Sequence, residues 1–158
     1  PDLNREIFLA TCGPAPRPDA TIGTAATGPF KGSDVYSASA TTSQTKSATV
    51  ARGATRTFHV QVGNDAPFTD SLTVKGASAG AAGYTVSYFR GSTNITAAVQ
   101  AGTYEVADVP PGGSVLLKVK IKAGTTTARG STRTATVTVR SSTASSVKDT
   151  VQARATRS

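Results

Sequence analysis

The chain has one cysteine, one histidine, and neither tryptophan nor methionine. The lone Cys12 cannot form an internal disulfide, so it is either a buried thiol or half of a bridge to another chain or to a segment outside this one. With His59 as the only imidazole, a histidine metal site or a Ser-His-Asp triad has at most one such group to use. His59 also falls on the polar side of its strand, where an ordinary exposed residue is the simpler interpretation. We therefore expect no enzyme, no metal and no cofactor.

Long apolar runs and helical patterns are also missing. No apolar run approaches the roughly 20 residues of a membrane helix, so we expect no membrane span. Ser, Thr, Ala, Gly and Val dominate the composition, and β-branched residues favour strands over helices. The chain begins at Pro1 without Met or a signal peptide, which is typical of a processed product or an excised fragment.

Apolar and polar residues alternate along several short stretches. In ATRTFHVQVGNDAPFTDSLTVKG, Phe58, Val60 and Val62 share one face, and a second alternating run carries Leu72 and Val74. Since side chains two apart share a face, these are two half-buried strands joined by a turn. The same pattern predicts inward residues in three further strands: Val115, Leu117, Val119 and Ile121; Ala135, Val137 and Val139; and Val151 and Ala153.

Turn residues separate these stretches at the spacing of a β-sandwich. The sequence therefore predicts an all-β, antiparallel sandwich of seven to nine strands with Greek-key connections. A closed barrel remains an alternative, because periodicity does not distinguish the two. We place this domain at residues 19–158.

Residues 1–18 read as a separate N-terminal strand and a proline-rich linker. Ile7 and Leu9 lie on one face and Phe8 on the other, and prolines at 14, 16 and 18 make the following spacer extended. An isolated strand cannot satisfy its backbone groups or bury these side chains alone. We expect Ile7, Phe8 and Leu9 to pack on their own sandwich or to be donated to the sheet edge of another molecule.

Basic residues outnumber acidic ones, 17 to 9, for a formal charge of +8. A field of this sign attracts anionic polymers. The basic residues are scattered rather than blocked, however, and a solvated surface is the plainer interpretation. The partners we expect are other copies of the chain or neighbouring domains of a longer one, with anionic cell-surface polymers as a further candidate and no nucleic acid.

Two other groups of side chains are candidate sites. Three acidic residues could donate oxygens to Ca²⁺, although no D-x-D-x-D-G loop is present: Asp65, Asp70 and Glu105. Three tyrosines could stack on sugars if they were exposed together: Tyr84, Tyr88 and Tyr104. Tyr84 and Tyr88 share a face with Val86, which favours core packing.

From about Arg17 to the end, the chain resembles the immunoglobulin-like modules of bacterial secreted and surface proteins. The segments that carry the resemblance are TFHVQVGND, FTDSLTVKG, GYTVSYF, AGTYEVADVPPGGSVLLKVKI and TATVTVRSS. The resemblance implies a fold and an exported location, and no reaction. Separately, NREIFLATCG resembles the closing strand of a blade in a TolB-like β-propeller, which implies that residues 1–13 are the tail of an upstream domain.

Together these observations favour a secreted or cell-surface structural or interaction module. The sharper hypothesis is a filament subunit that donates its N-terminal strand to a neighbour. The alternative is a carbohydrate- or anionic-polymer-binding module attached to an exported enzyme.

Overall fold

The computed structural model describes residues 13–78 and 80–158, which form two β-sheets packed face to face. A 3-10 turn spans Thr42–Gln44, and one short helix, α1, spans Thr96–Ala101. The strands are β1 (Pro18–Gly23), β2 (Thr45–Val50), β3 (Thr55–Asn64), β4 (Asp70–Gly76), β5 (Gly80–Ala81), β6 (Tyr84–Arg90), β7 (Thr93–Asn94), β8 (Tyr104–Val109), β9 (Ser114–Ala123), β10 (Thr132–Ser141) and β11 (Lys148–Arg157).

The first sheet has the strand order β1-β3-β9-β6-β5, with β7 also paired to β6, and the second has the order β2-β11-β10-β4-β8. The prediction of an all-β sandwich is confirmed, and both sheets are open rather than closed into a barrel. Nine strands of the described residues are six residues or longer, and β5 and β7 have two residues each. One pairing departs from the predicted antiparallel arrangement: β2 runs parallel to β11. Residues 24–44 carry the chain from the edge of the first sheet to the edge of the second, where β2 joins β11.

The core lies between the sheets, where the predicted inward faces meet. Phe58 of β3 is aligned with Val119 of β9, which is in turn aligned with Tyr88 of β6. Because aligned residues share a face, this row of large side chains points into the sandwich. All the inward residues predicted from alternation are buried except Val115, which is partly buried against the core.

Helix α1 was not predicted, because the stretch before β8 reads as irregular. Only one residue of this helix, Val99, is buried, so six residues cannot display the helical period. The helix ends at Gly102, whose φ of 73° lies in the left-handed region and whose N–H bonds to the carbonyls of Ala98 and Val99. Within the described residues, no helix is long and apolar enough to span a membrane.

The start of β1 and the end of β11 lie at opposite poles of the sandwich. Pro18, which opens β1, is aligned with Asn64 at the end of β3. The backbone N–H of Ser158 bonds to the carbonyl of Val50, just before β3 begins at Thr55. Strand β3 has ten residues, so the poles are about 33 Å apart. We call the pole at Pro18 the linker pole.

Candidate functional site

A cluster of carboxylates surrounds the point where the linker enters the sandwich. The Tyr36 hydroxyl lies 2.6 Å from an Asp65 oxygen and 3.2 Å from an Asp34 oxygen. The Arg17 guanidinium lies 4.5 Å from the centre of the Tyr36 ring, and the Asp65 N–H donates to the Arg17 carbonyl at 2.8 Å. These contacts fix the last linker residue before β1.

Asp19, the second residue of β1, lies behind this cluster with only 8% of its surface exposed. Burial raises its pKa to about 7, and the negative charges of Asp65, Asp149 and Asp34 add to the rise. The backbone N–H of Asp34 offsets part of this effect. Within the described residues, one Asp19 oxygen has no hydrogen-bond partner. Asp19 is therefore a buried carboxyl that gains or loses a proton near neutral pH.

Asp149 is fully buried and ties three segments together. Its carboxylate accepts hydrogen bonds from the backbone N–H groups of Ala20 at 2.8 Å, Ser37 at 2.9 Å and Thr150 at 3.0 Å, and from the side-chain amide of Gln44. Burial raises the pKa of Asp149, while these donors act in the opposite direction. The residue anchors the long connection between β1 and β2.

The three acidic residues considered for Ca²⁺ make separate protein contacts. Asp65 binds Tyr36, whereas Asp70 is buried and accepts from the hydroxyls of Ser141 and Thr143. Glu105 accepts from the hydroxyl of Ser142 at 3.2 Å. In the described part of the chain, no group of three His, Cys, Asp or Glu side chains could hold a metal ion.

His59 lies half-buried in the middle of β3, aligned with Lys118 of β9. Burial lowers its pKa, and the positive charge of Lys118 lowers it further. The imidazole is therefore neutral at pH 7. Because it is half-buried, His59 is less exposed than its position on the polar side of the strand predicted.

The tyrosines do not form a stacking surface for sugars. Tyr84 and Tyr88 are buried, as their shared face with Val86 predicted. The Tyr84 hydroxyl donates to the carbonyl of Ser131 at 2.7 Å, and that of Tyr88 donates to the carbonyl of Ala77 at 3.1 Å. Burial raises the pKa of Tyr88 to about 12.

An open groove of about 570 Å³ runs along β2, at an edge of the second sheet, and we call it the basic groove. It brings together three cationic side chains: Lys31, Lys46 and Arg154. Its other lining residues are small or polar: Ala40, Thr41, Thr42, Thr45, Ser47 and Gln152. The sequence did not predict this site, because its cations come from three distant positions. The parallel pairing of β2 with β11 brings Lys46 beside Arg154, and Lys31 is held by its backbone pairing with Ile22 of β1.

The candidate donor strand of Ile7, Phe8 and Leu9 lies outside the described residues, as does Cys12. The roles predicted for them remain predictions. The described residues begin at Gly13 and β1 begins at Pro18, and the division into a linker of residues 1–18 and a domain of residues 19–158 remains a prediction.

No protein-family profile matches the chain, and no curated protein matches it. Among solved structures, it is similar to a family 123 glycoside hydrolase from Clostridium perfringens, with 8% identity over 89% of this chain and 27% of that one and a TM-score of 0.52. A FixG-related protein from Vibrio parahaemolyticus matches 66% of this chain and 80% of its own, with 10% identity and a TM-score of 0.43. Domains 1–6 of the surface layer protein SbsC match 92% of this chain and 14% of theirs, with 15% identity and a TM-score of 0.36. At these identities the hydrolase match supports the β-sandwich fold alone.

Proposed function

We propose that the chain is a non-catalytic structural or interaction module of a secreted or cell-surface bacterial protein. One observation carries the proposal: the most deeply buried polar side chains hold loops in place. Asp149 anchors the connection between β1 and β2, and Asp70 anchors the loop after β10. The amide of Asn64 bonds to the carbonyls of Phe68 and Val109. The polar atoms of these side chains already form hydrogen bonds within the folded protein. Such satisfied buried networks make a structure rigid, which suits a scaffold.

The position of the two poles supports a spacer role. A chain that enters near Pro18 and leaves near Ser158 crosses the full length of β3. The contacts of Arg17 with Tyr36 and Asp65 fix the entry point. A module of this geometry would hold domains joined at its two poles about 33 Å apart.

The finer proposal is a filament subunit that donates its N-terminal strand. Burying Ile7, Phe8 and Leu9 contributes about 1.5 to 3 kcal/mol each, and about five ladder hydrogen bonds add about 0.5 to 1.5 kcal/mol each. The total of roughly 7 to 16 kcal/mol is comparable to the association cost of roughly 4 to 15 kcal/mol. Donation is therefore feasible, and because the contact is heterologous it would generate a ring or an open filament.

Light scattering and negative-stain microscopy of the full chain test strand donation. We expect large assemblies that disappear on deletion of residues 1–13 and in the triple variant Ile7→Ser, Phe8→Ser, Leu9→Ser. The control triple Asn4→Ser, Arg5→Ser, Glu6→Ser changes the same segment but keeps its apolar side chains, so it should still assemble. Compact monomers of the full chain would end the strand-donation proposal. Hydrolase or transferase activity in the isolated chain would end the non-catalytic one.

A further inference from the structure

We propose that the basic groove binds an extended anionic glycopolymer, a chain of hydroxylated units that carry carboxylate or phosphate groups. Lys31 comes from the connection between β1 and β2, Lys46 from β2, and Arg154 from β11. Within the described residues, no acidic side chain lines the groove. Three like charges that face one open groove without a lining counter-charge attract an anion from solution.

The strand register sets the spacing of these cations. Arg154 is aligned with Ser47, and Lys46 is aligned with Ala153, the residue before Arg154. Because Ala153 is buried in the core, Lys46 leaves the inner face of the second sheet and Arg154 leaves the outer face. β2 is the edge strand of this sheet, so an anionic chain that crosses the edge can contact the two cations with successive anionic groups. The guanidinium of Arg154 can bind a carboxylate or phosphate through two parallel hydrogen bonds.

Polar groups of the groove suit the hydroxyls of a sugar or polyol. The side-chain oxygen of Gln152 lies 3.3 Å from the Thr45 hydroxyl, whose single proton has a nearer acceptor in the carbonyl of Thr41, and the amide NH₂ of Gln152 remains a donor. Ser47 is exposed on the same edge strand. Uncharged donors beside the cations add hydrogen bonds that a bare charged surface does not offer.

The wall of the groove is held rigidly from behind. Gln44, fully buried, donates to the carbonyl of Val35 at 2.8 Å and to the carboxylate of Asp149. The Thr45 hydroxyl also lies 2.8 Å from the carbonyl of Thr41. A prearranged wall lowers the ordering cost of binding. The negative charge of Asp149 lies behind this wall and is bound by its own four donors.

The composition of the groove disfavours single-stranded nucleic acid. Proteins that bind single strands combine positive charge with aromatic side chains on which the bases stack. Among the described residues, no aromatic side chain lines the groove. A glycopolymer needs cations and hydrogen-bond donors, and both are present.

The test compares two triple variants of the full chain that lose the same positive charge. The groove triple is Lys31→Gln, Lys46→Gln, Arg154→Gln, and the control triple changes three exposed cations outside the groove lining, Lys122→Gln, Arg129→Gln, Arg140→Gln. Binding to polygalacturonate, poly(glycerol phosphate), neutral dextran and single-stranded DNA is measured at two salt concentrations. The first two polymers distinguish a carboxylate ligand from a phosphate ligand.

We expect wild-type binding to at least one of the two acidic polymers, weakened by salt because exposed charges are screened, and little binding to dextran. The groove triple should lose about tenfold or more in affinity, as expected for three charge-assisted contacts, and the control triple about twofold or less. Equal losses in both triples, no binding to either acidic polymer, or equal or tighter binding to DNA would each overturn the proposal.

Two further variants show whether a loss of polymer binding comes from the groove itself rather than from misfolding or from a loss of strand donation. The double variant Lys31→Gln, Arg154→Gln changes only exposed side chains, so it tests the groove even if the Lys46 change impairs folding. A chain without residues 1–13 should bind the polymer as the full chain does, because the groove is built from residues 31–154. Loss of assembly with retained polymer binding is thus the result that both proposals predict for the chain without residues 1–13.

Discussion

Replacing Asp19 with Asn should make the protein more stable at pH 8 and change little at pH 4. Burial and three neighbouring carboxylates raise the pKa of Asp19 from 3.8 to about 7. A folded-state pKa above the unfolded value means that the folded protein binds this proton more tightly than the unfolded chain does. The stability contributed by Asp19 is therefore fully present below about pH 4 and is lost as the pH rises to about 7.

The size of the stability change follows from the pKa shift of Asp19. Three pKa units correspond to about 4 kcal/mol at most, and solvent screening near the edge of the cluster reduces this to about 2 kcal/mol. Asn has nearly the same shape, and its side-chain oxygen can still accept from the backbone N–H of Asp34. Its amide also places donors rather than a charge among the remaining carboxylates of Asp34, Asp65 and Asp149.

Urea unfolding at pH 4 to 8 measures this difference directly. The raised pKa of Asp149 and the lowered pKa of His59 affect both proteins, so they cancel to first order in the comparison. Asp108→Asn, at an exposed carboxyl, is the control, and its difference from wild type in free energy of unfolding should not increase with pH. A difference between Asp19→Asn and wild type that does not change with pH would refute the assignment. So would a variant less stable than wild type at pH 8.

Two further predictions concern the loop anchors and the packing, and the second has its own control substitution. Asp149→Ala leaves the buried donors that Asp149 binds without partners and should cost about 3 kcal/mol or more in urea unfolding; a loss under about 1 kcal/mol would contradict the anchoring role. Gly76→Ala places a methyl group 2.4 Å from the buried Tyr88 ring and should cost about 3 kcal/mol, at the upper end of the usual range for overpacking. Gly53→Ala, at a φ of 71° in open space, carries only the backbone cost of about 1 kcal/mol, and an equal loss at both glycines would refute the steric argument.

The alternation of apolar and polar residues predicted the strands because each sheet buries one of its two faces. In β9 the apolar residues at 117, 119 and 121 are buried while lysines take the positions between them. The pattern is weaker where both faces are covered, as in β1, where all six residues are buried. It fails for α1, because one and a half turns with a single buried residue, Val99, leave no period to detect.

The candidate sites depend on pairings that local patterns do not contain. The basic groove needs β2 beside β11, a parallel contact between residues more than 100 positions apart. Lys46 and Arg154 each stand among ordinary strand residues, so neither carries a signal of its own. The carboxylate cluster likewise joins Asp19, Asp34 and Asp65 through the folding of the connection between β1 and β2 over the linker pole.

One sequence signal for the loop anchors was nevertheless present. Asp149 lies two residues before Val151, and Asp70 lies two residues before Leu72. Because side chains two residues apart share a face of a strand, alternation alone places both carboxylates on the inward face. An inward carboxylate is costly unless it is hydrogen-bonded, and the first or second residue of a strand is where a nearby loop can supply donors. Both residues are buried and bound by donors from neighbouring loops. An Asp that alternation places on the inward face at the start of a strand therefore indicates a loop anchor. Such a position favours a structural role for the carboxylate over a catalytic one.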